Sequence, residues 1–92
     1  GFVKFLFVSQ RLARGLERQP EDIDLLIVGK VIMPQVALLI KNIEKILSSE
    51  INYSCMTEEE FSYRKNHQDP FIVKILLQPK IMLIGDEINL QN

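Results

Sequence analysis

A single cysteine, Cys55, rules out an internal disulfide, so the fold has no covalent brace. One unpaired cysteine suits a reducing compartment, and the expected setting is cytoplasmic. The chain has no excess of basic residues. Its net charge is -1, so charge gives no indication of a nucleic-acid partner. It also lacks any apolar run near the roughly 20 residues that a membrane span needs, because Pro34 interrupts the stretch after Val31. There is one histidine, His67, set among polar residues with no second histidine or cysteine nearby. It reads as a surface residue and not as a metal ligand. Internal repeats, low-complexity tracts and a signal peptide are not read. The first residue is Gly, which suggests a tag remnant or a fragment of a longer protein.

What remains is a chain of 92 residues, 47% hydrophobic and 25% charged, enough for one small globular domain. Apolar content this high leaves little polar surface. Part of the apolar surface is therefore expected to serve a homo-oligomer or a protein partner.

Periodicity predicts the elements. Residues 2–8, rich in Phe and Val, read as a buried strand. Residues 10–15 read as a polar turn or short helix, and 16–21 as a solvated loop. A second strand is expected over 22–28, stopped by Gly29. Residues 34–48 carry the clearest helical spacing, with Pro34 in the first turn and Val36, Leu39, Ile43 and Leu47 on the packing face. A third strand is expected over 51–56. Thr57 with Glu60 forms a capping box that opens a helix, and Asp69-Pro70 opens another that ends near Gln78-Pro79. Residues 80–84 form a last strand before Gly85. The order β, β, α, β, α, α, β predicts an α/β domain of α+β type, with a mixed central sheet of about four strands and helices packed on it.

The chemistry-bearing pattern is Asp22 with Asp24. Two positions apart on a strand, both carboxylates would project from one face while Ile23 and Leu25 enter the core. Two convergent acids on a rigid strand suit Mg²⁺, and two such ions can clamp an in-line phosphoryl transfer. Acids at a strand mouth are also ordinary solvated residues. Arg11, Arg14 and Arg18 form the one basic concentration, interleaved with Glu17 and Glu21. Cys55 reads as a small core residue, and Glu58 to Glu60 as a helix start. Val31-Ile32-Met33 reads as a hydrophobic staple or a partner contact.

Ala13-Arg14-Gly15, six residues, then Asp22-Ile23-Asp24-Leu25-Leu26-Ile27-Val28-Gly29 resembles the minimal nucleotidyltransferases of the polymerase-β-like superfamily. Their pattern is a strand, Gly-Ser-x-Ala-Arg-Gly, a short loop, and Ser-Asp-Ile-Asp-Leu-Leu-Val. Thr57-x-Glu59-Glu60-Phe61, Asp69-Pro70-Phe71, Pro79-Lys80-Ile81 and Leu83-Ile84-Gly85-Asp86-Glu87 resemble the downstream text of one bacterial and archaeal branch. The resemblance implies transfer of a nucleoside monophosphate from an NTP. Asp22 and Asp24 would be catalytic and hold Mg²⁺, and Ser9, Gln10, Arg11 and Arg14 would face the nucleotide. Two departures accompany it. Gln10 and Arg11 stand at the Gly-Ser positions, or Val8 and Ser9 if two residues are inserted. Asn52 stands where a third acid is usual. These departures imply weakened or lost transfer, with an arginine taking part of the space of Mg²⁺-triphosphate. The alternative is a non-catalytic interaction or regulatory module, antitoxin-like or part of a transcriptional regulator.

Overall fold

A computed structural model describes residues 2–15 and 22–92. The elements are β1 (Phe2–Ser9), α1 (Gln10–Ala13), β2 (Leu25–Lys30), α2 (Met33–Leu47), β3 (Tyr53–Met56), α3 (Glu58–Asn66), α4 (Pro70–Leu77), β4 (Lys80–Ile84) and α5 (Glu87–Gln91). The loop expected over 16–21 lies outside the described residues.

The four strands form one mixed sheet in the order β3-β2-β1-β4. β1 runs antiparallel to β2 and β4, whereas β2 and β3 are parallel and joined through α2. The α+β class and the four-stranded sheet agree with the sequence reading, and β2 lies inside the sheet.

Two apolar clusters show why these strands sit where they do. Phe5, Phe7, Leu26, Val28 and Met56 point to one face and pack with Phe61 of α3, Ile72 and Ile75 of α4, and Leu90 of α5. Leu25 and Ile27 point to the other face and pack with Val36 and Ile40 of α2 and with Ile51. Alternation along β2 thus feeds a core on both sides, as a strand buried on both faces must. Among the described residues no helix is long and apolar enough to cross a membrane.

The local signals explain the helix starts. Ser9 Oγ accepts the Leu12 N–H at the start of α1. Thr57 Oγ1 accepts the Glu60 N–H, so three acids follow at the positive end of α3. Asp69 accepts from the N–H groups of Phe71 and Ile72 ahead of Pro70. Asp86 caps α5, a helix that the sequence reading left unassigned.

Four expectations need correction. The second strand begins at Leu25, not Asp22, and runs through Gly29 to Lys30. Gly29 is not a stop. Its φ is +151°, and a Cβ there would lie 2.3 Å from the Phe2 carbonyl oxygen, so glycine lets β1 approach β2. The third strand begins at Tyr53, leaving Asn52 just outside it. In α2 the packing residues are Val36, Ile40 and Ile43, while Leu39 and Leu47 are exposed. The helix is rolled by part of a turn from the expected face, because Ile40 and not Leu39 meets β2.

Candidate functional site

Antiparallel pairing brings the end of β1 to the starts of β2 and β4. Backbone hydrogen bonds join these strand ends and the approach to β3. Ser9 N–H donates to the Asp24 carbonyl at 2.9 Å, Gln10 N–H to the Pro79 carbonyl at 3.2 Å, and Asp24 N–H to the Asn52 carbonyl at 2.7 Å. Segments far apart in sequence therefore meet around one opening.

That opening is a cavity of about 770 Å³. Ser9, Gln10, Arg11 and Arg14 line one side of it, with Asp22 and Asp24 beside them. The structure thus brings together all six residues singled out from the sequence. The opposite wall comes from α4: Pro70, Val73, Lys74 and Leu77. Among the described residues three cations, Arg11, Arg14 and Lys74, share the lining with two acids.

The two aspartates differ. Asp22 is partly exposed and forms ion pairs with Arg11, at 2.5 Å, and with Lys74, at 3.5 Å. Asp24 is 1% exposed, and its Oδ2 accepts the Asn52 N–H at 2.9 Å. The Asn52 side chain in turn donates to the Asp22 carbonyl at 2.7 Å. Asp24 therefore ties the start of β2 to the start of β3 as well as lining the cavity.

This geometry corrects the strand-face argument. Ile23 packs in the α3–α5 cluster and Leu25 in the α2 cluster, so the two residues enter opposite sides of the sheet. Regular alternation does not extend back through Asp24, where the chain bends. The carboxylates meet the same cavity because the chain turns there, not because a pleat aligns them.

Lys74 was missed by sequence reasoning, although a signal was present. It is the one charge in the octapeptide PFIVKILL, whose Ile72 and Ile75 face the core. A lone cation in so apolar a helix has to be directed somewhere polar. Gln78 was missed too, and its side chain reaches the Ile23 carbonyl at 3.5 Å.

As a site for resident Mg²⁺ the donor set is thin. Among the described residues no group of three or more His, Cys, Asp or Glu side chains is placed to hold a metal. Asp22 faces two cations that a metal would have to displace. Away from the cavity, Cys55 is half-buried, and burial pushes its thiol above the usual range. His67 is exposed and stacked on Tyr63. A comparison with family models, curated proteins and solved structures found no match for this chain.

Proposed function

We propose that the chain is a nucleotidyltransferase-like domain whose cavity takes a nucleoside triphosphate, with metal-dependent transfer weakened or lost. The observation that carries the reading is the convergence of Ser9, Gln10, Arg11, Arg14, Asp22 and Asp24 on one cavity. Arg11, Arg14 and Lys74 offer three positive groups to a polyphosphate, and guanidinium and ammonium groups are the usual partners of phosphate oxygens. Pro70, Val73 and Leu77 give an apolar wall suited to a flat base. The resemblance around Asp22-Ile23-Asp24 points to the same ligand class.

Two features of the lining count against turnover. Gln10 stands where a small residue would let phosphate reach the backbone, and Arg11 already neutralises Asp22. A cytoplasmic setting belongs with this reading, since it offers both nucleotides and a reduced Cys55. A second reading, an interaction module that keeps this fold, is favoured by the exposed apolar residues of α2.

Titration calorimetry with ATP and GTP, with and without Mg²⁺, tests the proposal. The expected outcome is binding that persists in EDTA and weakens about tenfold or more in Lys74→Ala and Arg14→Ala. Binding that requires Mg²⁺ and disappears in Asp24→Asn would instead support an active transferase. Absence of heat under every condition would leave the interaction module.

A further inference from the structure

Each face of the four-stranded sheet needs a cover. Strands lie about 4.8 Å apart and packed helices about 8–10 Å apart, so one helix shields roughly two strands. Among the described residues α3, α4 and α5 all pack on one face, while α2 alone packs on the other. α2 lies over β2 and the approach to β3, against Leu25, Ile27 and Ile51. The half of that face built by β1 and β4 is an open lane. Ile81 stands opposite Val8, and Ile84 opposite Leu6. Directly opposed residues share a face. Leu6 and Val8 pack on the α2 side, so Ile81 and Ile84 line the lane, and both are exposed.

α2 is asymmetric in a matching sense. Its flank over β3 is marked by Glu44, whose carboxylate accepts the Ile51 N–H at 2.8 Å. Lys41, Ser49 and Glu50 gather there around a shallow hollow that Lys45 borders from the crest. At about 100° per residue, the opposite flank carries Leu39 and Ile46, with Leu38 at the crest. These are 55%, 81% and 62% exposed, and the neighbours between them, Gln35 and Asn42, are uncharged. The apolar flank thus looks over the open lane, with Lys41 and Glu44 on the far flank and Lys45 at the crest beside Leu38.

We infer that the lane is filled by α2 of a second copy of this chain, in a two-fold symmetric dimer. One rotation fills both vacancies. Each α2 lies beside its counterpart through Leu39 and Ile46, and each crest covers the partner's β1–β4 lane. An isologous contact of this kind needs a self-complementary patch, which a vacant helix lane next to an uncovered helix flank supplies. Leu38, Leu39, Ile46, Ile81 and Ile84 together expose on the order of 500 Å² per copy, more than half of the ~800 Å² per partner of a standard interface. The uncharged Gln35 and Asn42 extend the rim. This inference does not depend on what the cavity binds.

Sedimentation velocity over a concentration series tests it. The chain should sediment as a dimer. Leu39→Glu and Ile81→Glu should each raise the dissociation constant about tenfold or more while keeping the circular dichroism of the parent. Tyr63→Glu, exposed on α3, should leave the dimer intact. Independently, Asn42→Cys in a Cys55→Ser background should cross-link copy to copy through a short bis-maleimide. A chain that stays monomeric at every concentration would overturn the inference and leave the lane to a helix of another protein. A dimer that survives both glutamates, or fails to cross-link through position 42, would place the contact elsewhere and overturn it as well.

Discussion

Asp24 is a buried carboxylate with two tasks. It lines the cavity, and its Oδ2 receives the Asn52 N–H that holds the start of β3 beside the start of β2. Removing the acceptor leaves that N–H without its partner in a part-buried place. An unmet buried donor costs about 1–3 kcal/mol, and one bonded to a charged group falls toward the upper end. Asp24→Ala is therefore expected to lower stability by about 2 kcal/mol. Asp24→Asn should lose less, because its amide oxygen still accepts. Urea unfolding of the three proteins measures the difference, and equal losses in both variants would refute the acceptor role. Read as sequence, Asp24 was an acid on a strand. Its burial depends on a contact with Asn52, and no local pattern encodes that contact.

At the level of elements, two side chains join α4, β4 and α5: Gln91 of α5 donates to the Leu76 carbonyl at 3.1 Å, and Lys80 reaches the same oxygen. Lys80 opens β4, and its side chain is 1% exposed. The ammonium donates to the Leu76 carbonyl in the last turn of α4 at 3.0 Å and to Glu87 of α5 at 3.5 Å, and it lies near the Phe7 ring. A cation at a helix C-terminus also complements the helix dipole. Lys80→Met keeps the stem and loses the head, so the expected cost is about 1–3 kcal/mol. Hydrogen exchange should show the loss first in α5, which this lysine ties back through Glu87. Uniform loss of protection across the sheet would argue against that role. The elements themselves were largely legible. Capping residues and prolines lie next to the helices they start, so Thr57, Asp69 and Pro34 marked α3, α4 and α2. The roll of α2 was not legible, because Leu39 and Ile40 satisfy the same spacing and the choice between them is made by β2. The start of β2 was misplaced for a similar reason: 22–24 alternate like a strand, but the bend at Asp24 is imposed by bonds from Ser9 and Asn52.

For the whole molecule, the two faces of the sheet differ in how thoroughly they are closed. Ile72 of α4 is fully buried in the cluster that α3, α4 and α5 share with the sheet, whereas Ile40 is buried where α2 meets the other face. Deleting a buried isoleucine side chain costs about 2–5 kcal/mol, more where the surroundings cannot collapse into the space. Ile72→Ala should fall near the top of that range and Ile40→Ala near the bottom. Denaturant midpoints compare them directly, and the reverse order would contradict this picture of the layers. The six cavity residues were legible as a group because they lie in two short stretches, 9–14 and 22–24. The α4 wall was not, since Lys74 is brought there only when α4 docks on the sheet.

The strand order carries a further meaning for how the chain reaches this state. β1 pairs with β2 soon after both exist, but its other edge waits for β4, which is near the far end of the sequence. Closing so distant a contact is entropically slow. Until it closes, the strand FVKFLFVS presents an unpaired backbone edge and two phenylalanines, Phe5 and Phe7, without full cover. That interval is when the chain is most exposed to self-association of the wrong kind. Pro79 arrives with β4, so the cavity lining is completed by the same late event that silences the edge.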